Sequence, residues 1–221
     1  MEKIIEQYID QCLQWMEPCK EYLGYLPFYE GDVEPEMVDD LDFALLRELP
    51  MRMKITQPER KDHVVNLISP KDKLWKSIDN QVSTDDIAQL ERELSITLPE
   101  SYKRYLHCKH HYKLFWDMDI VLYPKPVHSW YNIVVEMNNS LRTLALEKGY
   151  FVIGTYSDSA EIAIKLHEDS RSEGVVVLLD YETGEPSRVL ASHFLALLDA
   201  QLTLPSPQLK PLKEWEKRLF G

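Results

Sequence analysis

Apolar residues recur at helical spacing from the first turns of the chain. Ile4, Ile5, Tyr8, Ile9, Cys12, Leu13 and Met16 fall on one broad face, which predicts an amphipathic helix ending at Pro18. Pro35 can open a second helix with acidic first turns, as the helix dipole favours, and Val38, Leu41, Leu45 and Leu49 would supply its buried face. The pattern is clearest over residues 82–106. Ser83, with Asp86 three residues on, forms a capping-box signature, and Ile87, Leu90 and Leu94 repeat behind it. Ser95-Ile96-Thr97-Leu98 interrupts that face, and Pro99 suits the first position of a new helix. Tyr102, Tyr105 and Leu106 then continue the apolar pattern, so an αα-corner is the expectation.

Past the corner, residues 114–123 have strand character and stop at Pro124-Lys125-Pro126. Ser129 is placed to cap a helix with Ile133, Met137, Leu141 and Leu144 along one side and Gly149 as its stop. The period then shortens to that of strands. Tyr150-Phe151-Val152-Ile153-Gly154 reads as a buried strand, Ile162, Ile164 and Leu166 share one face of a second, and Val175-Val176-Val177-Leu178-Leu179-Asp180 is a third. Tyr181-Glu182-Thr183-Gly184-Glu185 is a turn across which Arg188-Val189-Leu190 can pair back. Ser192 is expected to cap a last helix with Phe194, Leu195, Leu197, Leu198 and Leu202 inward. Helices first, then a strand meander closed by a helix, predict an α+β fold, an antiparallel or mixed sheet flanked by helices. Three parts are expected: a mainly helical N-terminal extension (residues 1–70) packed on the core, an α+β domain (71–204) and a tail (205–221).

A hydrophobic content of 44% supports a real core, and 28% charged residues without low-complexity tracts argue against disorder. No apolar run reaches the roughly 18 residues of a membrane span. Met1-Glu2-Lys3-Ile4-Ile5-Glu6-Gln7 lacks the apolar stretch of a secretion signal. Cys12, Cys19 and Cys108 form no metal-like pair and read as free thiols, so a cytoplasmic protein is expected. The net charge of −12 disfavours direct nucleic-acid binding and suits a basic protein partner.

Candidate chemistry is sparse. His107, His110 and His111 form an HxxHH run in which His107 and His111 would share a face as metal ligands if the helix continued. The run contains no Glu to act as base, and cations answering a helix end are the alternative reading. Cys108 sits beside these histidines, but sequence neighbours on a helix do not face each other, and a small buried thiol is expected. Asp117 with Asp119 and Asp158 with Glu161 are carboxylate pairs of a kind that arises by chance in so acidic a chain. No catalytic residue, metal or cofactor is expected.

Five stretches, in order, resemble the SUKH superfamily over about residues 75–202. They are Ile87-x-x-Leu90-Glu91; Leu98-Pro99-x-x-Tyr102 with Leu106; Phe151-Val152-Ile153-Gly154; Val176-x-Leu178-Leu179-Asp180 with Gly184; and Ala191-Ser192-x-Phe194. The His107–His111 run stands where such proteins often carry an Asn-Gly-Gly-like turn after the second helix, and Thr155–Ala160 where a Gly-rich turn is usual. That group includes bacterial immunity proteins and fungal cell-wall-synthesis regulators. The resemblance implies a non-enzymatic immunity protein that binds and neutralises a cognate basic toxin, most often a nuclease. The alternatives are a regulator or scaffold bound to an endogenous protein, or, from the histidine run, a metal-dependent hydrolase. Three acidic places are the expected contacts for a basic partner. The first is the run Glu30, Asp32, Glu34, Glu36, Asp39, Asp40 and Asp42, which carries no basic residue. The second is Asp117 and Asp119, with Trp116 and Trp130 either as aromatic anchors or as core. The third is the loop holding Asp158 and Glu161.

Overall fold

The computed structural model describes residues 2–16, 77–111, 114–115, 120–157, 160–167 and 173–205. The expected helix after Pro35, and the residues around Trp75 and Pro58, lie outside them. Helix α1 (Glu2–Met16) buries Ile5, Tyr8, Ile9 and Cys12, the face that its spacing predicts. Helix α2 (Thr84–Leu94) begins as its sequence dictates. The Asp86 N–H donates to Ser83 Oγ at 3.1 Å, and the Ser83 N–H donates to Asp86 Oδ2 at 2.8 Å, a closed capping box. Ser95 ends the helix in the left-handed region at φ 58°. Helix α3 (Glu100–Leu106) follows with Pro99 as its N-cap, one position earlier than expected. The corner between them is tied by Glu91, which accepts the Leu98 N–H at 2.8 Å and pairs with Lys103 at 2.8 Å.

Residues 114–123 form two short antiparallel strands, β1 (Leu114–Phe115) and β2 (Ile120–Leu122), instead of one. Helix α4 (Trp130–Ser140) is capped by Ser129 without a side-chain bond. Its buried residues are Trp130, Val134, Val135 and Asn138, with Ile133 and Met137 only half-buried, so the buried face is rotated from the expected one. The helix ends at Ser140, short of the expected stop, and Gly149, at a φ of 78°, instead ends a separate short 3-10 turn (Leu146–Lys148). Strands β3 (Tyr150–Tyr156), β4 (Ala160–Lys165), β5 (Val176–Asp180) and β6 (Pro186–Ala191) complete a six-stranded antiparallel sheet in sequence order. Helix α5 (Phe194–Thr203) is capped by His193, whose Nδ1 accepts the Ala196 N–H at 3.1 Å; the expected cap, Ser192, lies one residue too early.

The fold is α+β with its helices gathered on one sheet face. Phe151, Ile153, Ile162, Ile164, Val176 and Leu178 from that face meet Ile5, Leu90, Leu98, Tyr102, Tyr105, Trp130, Phe194 and Leu198 from the helices. Tyr102 is the hub, its ring edge-on to Phe151 at 5.2 Å and to Phe194 at 5.3 Å. Alternation along the strands sends Val152, Ala163, Val177 and Leu179 to the other face, where Ala145 and the half-buried Leu141 cover them. The β5–β6 turn is wedged against this cover. A Cβ on Gly184 would lie 2.0 Å from the Leu144 carbonyl oxygen, and its φ is 66°, so only glycine fits. The described part of the N-terminal extension belongs to the same core: α1 packs on α5, α3 and β1.

Candidate functional site

Most of the residues that the sequence marks as partner contacts lie outside the described residues: Glu30, Asp32, Glu34, Glu36, Asp39, Asp40, Asp42, Trp116, Asp117, Asp119 and Asp158. Two are placed. Trp130, only 5% exposed, sits in the main core with its ring perpendicular to that of Tyr131, so of its two expected roles burial supports the core. Glu161 is half-buried on β4 and accepts a hydrogen bond from the Tyr123 hydroxyl at 3.0 Å. Burial raises the Glu161 carboxyl above its usual range, and the bond from Tyr123 opposes the rise. Burial, then the neighbouring Glu161 charge, pushes the Tyr123 phenol up as well. This carboxylate is thus engaged within the fold.

The histidine run is built differently from a metal triad. Helix α3 ends at Leu106 with His107 as its C-cap, so His107 and His111 share no helical face. The strap formed by residues 107–111 instead runs between two segments. His110 makes an antiparallel bridge with Ile78, and His111 makes one with Lys125. Each ring has its own partner. His107 Nδ1 donates to the Val82 carbonyl at 3.1 Å. His111 Nε2 faces the Tyr105 hydroxyl at 2.6 Å. Both His111 and His110 are fully buried.

His110 has both nitrogens engaged, and its partners dictate its tautomer. Gln81 offers a backbone N–H to Nε2 at 3.0 Å, so Nε2 accepts; Nδ1, 3.1 Å from the Lys125 carbonyl oxygen, must donate. Burial lowers the His110 pKa, and the nearby Lys125 charge lowers it further.

Lys125, 2% exposed, is the residue that sequence reasoning missed here. Its Nζ donates to the carbonyls of Leu106 (2.8 Å), Cys108 (3.0 Å) and Tyr105 (3.3 Å) and stands 5.9 Å from the Tyr105 ring centroid. Tyr105 and Leu106 close the last turn of α3, where helical partners run out, and Cys108 follows its C-cap; the Tyr105 carbonyl also accepts the Cys108 N–H at 3.0 Å. A cation does answer that helix end, as the alternative reading of the run supposed, but it is Lys125 and not a histidine. Burial nevertheless brings its pKa down to about 7. The flanking prolines had marked Lys125 only as part of a strand stop.

Burial also sets the thiols. Cys12 is pushed up to about 12, and Cys108, half-buried, rises above its usual value, so both remain thiols at neutral pH. Among the described residues no three His, Cys, Asp or Glu side chains are grouped to hold a metal, and no described helix is long and apolar enough to cross a membrane. Buried polar groups instead complete the backbone. Asn138, fully buried in α4, donates to the Val152 carbonyl at 3.0 Å and accepts the Val152 N–H at 2.9 Å. Its amide pairs with the β3 backbone two residues before Gly154, which forms the last β2–β3 pair with Leu122. Nothing in the helical pattern had singled it out.

No curated protein matches the chain. A family profile does, over residues 81–200, from the residue before Val82 through all of β1–β6 and most of α5, a span of more than half the chain. On that match and the α+β architecture, the chain belongs to the SMI1 / KNR4 family (SUKH-1).

Proposed function

We propose that this chain is an immunity protein that binds a cognate toxin domain and neutralises it by contact, without turnover. The observation that carries this reading is family membership combined with a net charge of −12. The densest acidic run, residues 30–42, lies outside the span that the family profile covers, where partner-specific sequence is expected. A basic toxin domain, such as a nuclease that tracks phosphate backbones, is the complementary partner. The absence of turnover is supported by how the polar groups are spent: the histidine run ties the fold together, and Cys12 and Cys108 are held as thiols. A cytoplasmic location follows from this role.

The test is binding kinetics against the toxin domain encoded beside this chain's gene, with cell survival on co-expression as the second readout. Replacing Asp32, Glu34, Glu36, Asp39 and Asp40 by Asn or Gln is expected to slow association at least tenfold at low salt, with smaller changes in dissociation. An unchanged association rate removes this segment from the interface. Capture of an endogenous protein, with no toxin neutralised, replaces immunity with a regulatory or scaffold role.

A further inference from the structure

We propose that His110 is an acid-released clasp: protonation at Nε2 ends its bond to Gln81 and loosens residues 77–82, the segment leading into α2, against the strap. The geometry makes the neutral ring obligatory. Nε2 has an N–H pointing at it from Gln81, and Nδ1 already carries the proton that it donates to the Lys125 carbonyl. A second ring proton would set donor against donor at 3.0 Å. The new charge would also be buried, since His110 has no exposed surface.

The backbone carbonyls of Lys125 and Pro126 favour the charged ring, but burial and the neighbouring cations outweigh them. From the segment after β2, Lys125 and His128 both act against protonation. From the strap and α3 come Cys108, Lys109, His111 and Tyr105; Lys109 is paired with Asp10 of α1 at 3.4 Å, and Tyr105 is bonded to His111. Glu6 of α1 is felt at Cys108. Asp79, next to the bridging Ile78, is exposed. Among the described residues no carboxylate forms an ion pair with His110 or Lys125. The lowered His110 pKa agrees with this setting. Its sign is that of a group whose stabilisation is complete above the unfolded-state value, near 6.5, and is lost as pH falls through the folded-state value. What remains between segment and strap after release is the pair of backbone bonds between Ile78 and His110, at 2.8 and 3.2 Å, and the bond from His107 Nδ1 to the Val82 carbonyl at 3.1 Å.

Hydrogen exchange on the full chain at pH 7.5 and pH 5.0, corrected for intrinsic exchange, tests the clasp. Protection of the Ile78, Gln81 and His110 amides is expected to fall by about tenfold or more at pH 5.0, where the ring takes up its second proton. In His110→Gln, which offers Gln81 an acceptor that gains no proton, protection is expected to change less than twofold. Constant protection in the natural protein, or an equal loss in the variant, overturns the proposal. If the variant does not fold, NMR titration of the histidine ring protons in the natural chain decides. A His110 midpoint well below about 6.5 that coincides with loss of segment protection supports the clasp; an ordinary midpoint overturns it.

Discussion

The Glu173 carboxylate caps helix α3 at Ser101, 72 residues earlier in the chain. Its Oε1 accepts the Ser101 backbone N–H at 2.9 Å, and its Oε2 accepts the Ser101 hydroxyl. Pro99, as N-cap, has no side-chain oxygen to offer the open N–H groups of α3, and Glu173 supplies one from the approach to β5. Glu173→Ala is therefore expected to cost about 1–2 kcal/mol, with Glu173→Gln losing less because one acceptor remains. Urea denaturation of both variants checks this; equal losses would mean that the acceptor is not what matters.

Leu90 and Leu94, at 0% and 2% exposure, anchor α2 in the core. Truncating either to Ala is expected to cost about 2–5 kcal/mol. A melting temperature within two degrees of the natural protein would show that the cavity closes without loss.

Gly184→Ala is expected to destabilise by more than the roughly 1 kcal/mol of a left-handed residue alone, because the added methyl meets the Leu144 carbonyl oxygen. The damage should localise: exchange at Leu144, Ala145 and the β5–β6 turn should rise before exchange at Phe151. Uniform exchange across the sheet would contradict the wedge.

Lys125 yields a prediction in pH. Its folded-state pKa is about 7 against 10.5 for the free side chain, so between these values the unfolded chain binds the extra proton. Stability contributed at this position must then rise as pH increases from 7, and fall as pH drops toward 7. Cys12, raised to about 12, works in the opposite direction above pH 9, which makes pH 7–9 the window for the measurement. Across it the natural protein should gain stability relative to Lys125→Met. A constant difference would mean that Lys125 keeps its proton throughout.

Legibility in the sequence followed the range of each signal. The Ser83–Asp86 capping box and the Ile87, Leu90, Leu94 face are complete within one helix, and both appear as read. The α4 face did not, because Asn138 is polar by type and buried by function. Its bonds to Val152 turn the helix so that Val134 and Val135 lie inward, where an apolar count favours Ile133 and Met137. His193 displaced Ser192 as a cap for a related reason: an imidazole nitrogen can accept an N–H as well as a hydroxyl can, but residue preferences favour serine. Lys125 and Glu173 were invisible in principle. Each acts on backbone groups of α3 or its end, and no local pattern reports a partner 17 to 72 residues away. The contacts expected of residues 30–42 lie outside the described residues.

The sheet is laid down in chain order, each strand beside the one before it, whereas α1 touches α5 across almost the whole described chain. Neighbouring strands close short loops and can form early. Among the described elements the α1–α5 contact closes the longest loop, so it should form late. During synthesis the sheet would emerge with α5 still missing, and the part of its helix-bearing face that Phe194 and Leu198 cover would wait open until they arrive. The order of synthesis thus sets an interval in which this face is open to other chains. Its length depends on the roughly 40 residues between Lys165 and Leu204, made at about 5–20 residues per second.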